Sequence, residues 1–150
     1  MENHPISTTY LDNQVARVAA ALAAAGAWDA APLELQCGSF KNVTLHFRYT
    51  RGAANGAFGF RADTCPDYLG VLWNQMTLYS ALGVVTNADT QSDLQRESIE
   101  YGATAAAVEG FVYGPIELGG NVELIRIGAH ETGVVGTPGT LEILAKFGME

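Results

Sequence analysis

Residues 42–63 read NVTLHFRYTRGAANGAFGFRAD, and this stretch decides the fold. Val43, Leu45, Phe47 and Tyr49 alternate with Thr44, His46, Arg48 and Thr50. Beyond Asn55-Gly56 the apolar set resumes at Phe58, Phe60 and Ala62, interleaved with Gly59, Arg61 and Asp63. Side chains alternate across a strand, so each run presents one apolar and one polar face. Asn-Gly tolerates the φ > 0 needed at both central positions of a type I′ turn. The pattern predicts an antiparallel hairpin turning at Asn55-Gly56, with Tyr49 opposite Ala62, Arg51 opposite Phe60 and Arg48 opposite Asp63. A longer loop from Ala53 to Gly56 is the alternative register. Arg51 falls on the inward face beside the turn, where a charge requires an acidic partner from another strand or subunit, or an escape to the rim.

Downstream and upstream of this unit the pattern is one of short strands between turn residues. Strands are predicted at Leu33–Cys37, Val43–Thr50, Ala57–Thr64, Val71–Tyr79, Leu94–Tyr101, Ala107–Tyr113, Val122–Ile127 and Thr140–Phe147. Gly119-Gly120 is a second hairpin candidate. These runs predict an all-β domain, an eight-stranded antiparallel jelly roll or β-sandwich, over residues 31–150. Residues 1–30 read differently. A polar arm precedes Asp12 or Asn13, either of which can cap a helix over Gln14–Ala25 that Gly26 stops. Val15, Val18, Ala19 and Leu22 form its apolar stripe. Two placements stay open, on the chain's own sheet or on a neighbour.

A chain of 150 residues makes one domain and buries roughly 70% of its unfolded surface without metals or disulfides. Only 16% of its residues are charged, which suits a surface partly covered by copies of itself or by a partner. A net charge of −8, with Lys41 and Lys146 as the only lysines, argues against nucleic acid as a partner. The first residues lack the basic and apolar regions of a signal peptide. No run of about 18 apolar residues is present to cross a membrane. Synthesis in the cytoplasm follows. Cys37 and Cys65 read as small buried hydrophobes, with a pairing left open.

The chemistry-bearing residues do not assemble into a motif. His4, His46 and His130 lack metal-ligand spacing, and a strand would aim His130 and Glu131 to opposite faces. The glycine clusters Gly52–Gly59 and Gly133–Gly139 fit neither dinucleotide nor phosphate loops. Neither cysteine has a base nearby in sequence, and no nucleophile elbow occurs. Glu97, Glu100, Glu117, Glu123 and Glu131 read as a solvated strand face. Asn87, Asp89 and Asp93 lack the calcium-loop pattern. Tyr68, Trp73, Tyr79 and Tyr101 would serve a carbohydrate-binding module if exposed and coplanar. No catalytic residue, cofactor or metal ligand is expected.

Several segments carry a resemblance. The Ala-rich start leads into WDAAPLEL (28–35), the central unit holds YTRGAANGAF (49–58), and LQRESIEY (94–101), YGPIELGGNVELIRI (113–127) and GVVGTPGTLEIL (133–144) follow. Together they resemble small virion proteins of tailed bacteriophages, most of all the jelly-roll head decoration (cement) proteins. The resemblance implies a homo-oligomer, commonly a trimer, seated on the major capsid protein at the outer surface of the head. It implies no enzymatic role, and stabilisation of the shell against internal DNA pressure. An N-terminal arm would clamp neighbouring subunits, with Tyr10, Leu11, Val15, Val18 and Leu22 as the expected contacts. A tail-tube or tail-end subunit is the alternative virion role.

Overall fold

The computed structural model describes residues 12–53, 56–67, 69–79, 95–102, 107–133 and 137–149. In chain order its strands are β1 (Asn13–Ala21), β2 (Leu35–Gln36), β3 (Asn42–Thr50), β4 (Ala57–Cys65), β5 (Asn74–Gln75), β6 (Leu78–Tyr79), β7 (Gln95–Arg96), β8 (Ile99–Gly102), β9 (Val108–Glu117), β10 (Leu124–Glu131) and β11 (Thr140–Gly148). The first sheet has the order β1-β11-β3-β9. The second has the order β2-β10-β4-β5, with β8 also paired to β4, and β6 pairs with β7. Every pairing is antiparallel.

The alternation that predicts the strands also sets the core. Val43, Leu45, Phe47 and Tyr49 of β3 and Phe58, Phe60 and Ala62 of β4 are all buried. Leu141, Ile143, Ala145 and Phe147 of β11, with Ile125, Ile127 and Ala129 of β10, complete one continuous cluster. Aromatic rings fill its centre. Phe47 meets Phe60 at 4.6 Å and Phe58 at 5.3 Å between centroids, and Tyr101 stacks on Phe111 at 4.7 Å. Such offset and tilted pairs add about 0.5–1.5 kcal/mol each beyond their burial.

The predicted hairpins are corrected. β3 pairs with β11 and β9, whereas β4 pairs with β10, β8 and β5, so the two strands lie in opposite sheets. Tyr49 pairs with Leu141 and Glu109, and Ala62 with Ile127. The physical reason is a degeneracy. A returning strand placed alongside, or one placed opposite across the core, aims the same alternate side chains at a shared interior. The Gly119-Gly120 turn is corrected in the same way, since β9 and β10 belong to different sheets. Asn55 lies outside the described residues.

The predicted helix is corrected too. Asn13–Ala21 is a strand along β11, from Asn13 opposite Lys146 to Ala21 opposite Thr140. Among the described residues the only helical backbone is the 3-10 turn Ala24–Gly26. Alanine favours a helix by only a few tenths of a kcal/mol over most residues. Pairing with β11 satisfies the backbone and buries Ala16 and Leu22 in the core. Residues 13–21 therefore form the edge of a sheet rather than an appendage to it.

Candidate interaction surface

The outer face of the first sheet carries a continuous row of exposed side chains. The register sets Val15 beside Leu144, Leu144 beside His46, and His46 beside Val112. This row crosses all four strands. Its three aliphatics are between 40% and 50% exposed, and His46 is exposed. Solvent-facing rows of a sheet are ordinarily polar. The neighbouring row sets Glu142 beside Arg48 and Arg48 beside Gly110, and on the other side Lys146 stands beside Thr44. Val18 and Val108 add two further exposed aliphatics from the outer strands.

Both edges of this sheet are blunted against strand addition. On β1 the register shifts twice, around Arg17. The Arg17 guanidinium donates to the carbonyls of Ala20, Ala21 and Leu141 at 3.2 Å or less. It also forks onto the Asp29 carboxylate at 2.9 and 3.2 Å. On β9, Pro115 offers no N–H, and the Val112 carbonyl accepts from the Tyr101 hydroxyl at 3.3 Å. Bulges and proline are the usual means of closing an edge. What the sheet leaves open is its face.

A different construction occupies one end of the core. Glu131 is buried, 4% exposed, at the end of β10. Its carboxylate accepts from the Tyr49 hydroxyl at 2.8 Å and from the backbone N–H groups of Gly139 at 2.7 Å, Ala57 at 2.9 Å and Gly133 at 3.1 Å. Buried carboxylates persist when hydrogen-bonded in this way. Burial, then the hydrogen bond and charge of Glu131, hold the Tyr49 phenol well above its ordinary value, while Arg51 opposes them. Arg51, the inward residue of the sequence reading, thus stands near enough to Tyr49 for its charge to act on the phenol. A Cβ at position 139 would collide with the Tyr49 ring, so only glycine fits there. The alternation Ile125, Ile127, Ala129, Glu131 points inward, and following β10 past Ile127 would have revealed the buried acid.

The other residues singled out in the sequence are dispersed. His130 stacks on Trp28 at 3.7 Å, and Arg61 lies 4.5 Å from the same ring. His46 stands on the other sheet. Among the described residues no three histidines, cysteines or acids gather as a metal site. Trp73 faces Arg126 at 4.1 Å, Tyr101 is fully buried, and Tyr113 bonds both backbone groups of Tyr79 at 2.8 Å, so these aromatics form no common platform. Burial, and then the Glu123 charge, push the Cys37 thiol up to about 12. Of the expected contacts, Val15 and Val18 are exposed on β1, whereas Leu22 lies in the chain's own core. Tyr10, Leu11, His4, Tyr68, Asn87, Asp89 and Asp93 lie outside the described residues. A second group of exposed aliphatics, Leu69, Val71 and Leu72, follows β4 on a turn that Asp67 braces by accepting from the Leu69 N–H at 2.9 Å. Among the described residues no helix is long and apolar enough to cross a membrane. No protein-family model matches the chain, and no curated protein or solved structure matches it.

Proposed function

We propose that this chain is a structural virion protein, a jelly-roll subunit that decorates a tailed-bacteriophage head as a homo-oligomer and stabilises it. Number β1, β2, β3, β4, β8, β9, β10 and β11 as first to eighth. The sheets then have the orders 1-8-3-6 and 2-7-4-5. This interleaving of two Greek keys supports the jelly-roll reading. The observation that carries the function is the exposed aliphatic row across a four-stranded face on a chain with few charges. Such a surface suits burial against other subunits. A net charge of −8 suits a place outside the DNA-filled shell. The chain is made in the host cytoplasm, seats on the major capsid protein, and takes part in no catalysis, metal or cofactor binding, nucleic-acid binding or membrane insertion. Residues 1–11 serve as the arm that clamps the lattice.

A ligand that binds only the assembled lattice stabilises it by mass action. Undecorated heads supplied with the purified protein should therefore survive heating that ruptures bare ones. Electron microscopy of particles should show the subunit on the outer surface of the head. Particles that lack the chain by mass spectrometry remove this reading, and density at the tail replaces the head by the tail.

A further inference from the structure

We infer that the outer face of the first sheet binds a second copy of this chain across a two-fold axis that runs along the strands, between β11 and β3. This rests on reading that face as a contact surface, and not on the virion assignment. Rotation about such an axis exchanges the four strands. β1 meets β9 of the second copy, and β11 meets its β3. Within the apolar row, Val15 then faces Val112 and Leu144 faces His46, each twice. In the adjacent row, Glu142 faces Arg48 twice. Thr44 stands opposite Lys146, and Thr50 opposite Thr140. The face is therefore complementary to itself in both shape class and charge, which is what an isologous contact requires.

Three further features agree. Both edges of the sheet are blunted, which disfavours self-association by sideways extension of the sheet. Nine-residue strands span about 30 Å and four strands about 19 Å, near 600 Å² in plan. That approaches the ~800 Å² each partner contributes to a standard contact. Glu142, Arg48 and Lys146 have no ion pair among the described residues, so their charges are available to a partner. A two-fold axis across the strands instead sets His46 on His46 and Arg48 on Thr44, with Glu142 on Lys146. It satisfies as many charges, leaving Arg48 rather than Lys146 opposite a threonine, but it juxtaposes two imidazoles where the axis along the strands sets each imidazole on Leu144. The contact inferred here is two-fold, and replaces the three-fold one that the sequence resemblance implies.

The test is a mixing experiment with full chains. Sedimentation of the unaltered protein at micromolar concentrations and above should give twice the 15.9 kDa chain mass. Glu142→Arg sets arginine against Arg48 of the second copy, and Arg48→Glu sets glutamate against Glu142. Each alone should raise the dimer dissociation constant tenfold or more. An equimolar mixture of the two should recover a heterodimer, since every facing pair is then opposite in sign. Effects confined to one chain, such as the Glu142–Arg48 neighbour pair within the sheet, cannot produce that recovery. Far-ultraviolet circular dichroism of each variant confirms that it is folded. A monomeric unaltered protein overturns the contact and the homo-oligomer together. A dimer that neither variant weakens, or a mixture that stays monomeric, overturns this axis and leaves the homo-oligomer standing. Recovery on mixing Glu142→Arg with Lys146→Glu instead assigns the axis across the strands.

Discussion

At the scale of single residues, Glu131 ties the β10–β11 connection to the adjoining ends of β3 and β4, 82 and 74 residues away in sequence. Its partners lie at the end of β3, at the start of β4 and on both sides of the β10–β11 connection. Glu131→Ala leaves several buried donors unsatisfied and should cost about 3 kcal/mol, whereas Tyr49→Phe should cost about 1 kcal/mol. Urea denaturation of the two variants measures the difference. A smaller loss for Glu131→Ala than for Tyr49→Phe would show that the carboxylate is dispensable. The buried phenols add a pH dependence. Burial raises Tyr49 and Tyr101 well above their ordinary value, and lifts Tyr113 from 10.0 to about 12. The folded chain then keeps protons that the unfolded chain loses, so stability is full below about pH 10 and falls as pH rises toward 12. In an alkaline titration followed by phenolate absorbance, these three tyrosines should ionise only as the protein unfolds. Smooth titration of all six near their ordinary value would contradict their burial.

At the scale of elements, sequence and structure agree where a side-chain pattern is local and part where a partner must be chosen. The limits of β3, β4 and β11 are legible to within a residue, because strict alternation over eight or nine positions leaves one way to bury Val43 through Tyr49 or Leu141 through Phe147. The sheet each strand joins is not legible, because alternation names a face and not a neighbour. The row from Val15 to Val112 needs that missing register, so no local pattern discloses it. β1 departs from the helical expectation for another reason. Val15, Val18 and Leu22 fit a helical stripe, and nothing local reports that β11 awaits a partner. The correction moves the boundary of a useful truncation. Removing residues 1–11 leaves Asp12, whose carbonyl accepts from the Phe147 N–H at 2.7 Å, and should keep the melting temperature within a few degrees. Removing residues 1–26 deletes β1, with Arg17 and its three carbonyl bonds, and exposes β11 as an unprotected edge. That shorter chain should aggregate or melt more than ten degrees lower, by about 2–4 °C for each kcal/mol lost. Scanning calorimetry of both truncations decides it, and equal melting of the two would deny β1 its place in the sheet.

At the scale of the whole molecule, the two cysteines show how the topology settles what composition leaves open. Cys65 pairs with Leu124, and Cys37 follows Gln36, which pairs with Leu124 from the opposite side. They flank β10, two strand spacings or about 9.6 Å apart, beyond the ~7 Å within which a disulfide closes. Both are buried and free. Oxidised and reduced samples should therefore melt together, and a reductant-dependent melting temperature would contradict the strand order around β10. The meeting of Asp12 with Phe147 has a mechanical consequence. Interstrand bonds of an antiparallel pair lie perpendicular to the strands. Tension applied through those two residues would peel β1 from β11 one bond at a time, like a zip, at low force. Tension entering through the broad side of the sheet would load the bonds of all four strands together. To withstand stretching, the molecule would have to be gripped by its flank and not by its ends.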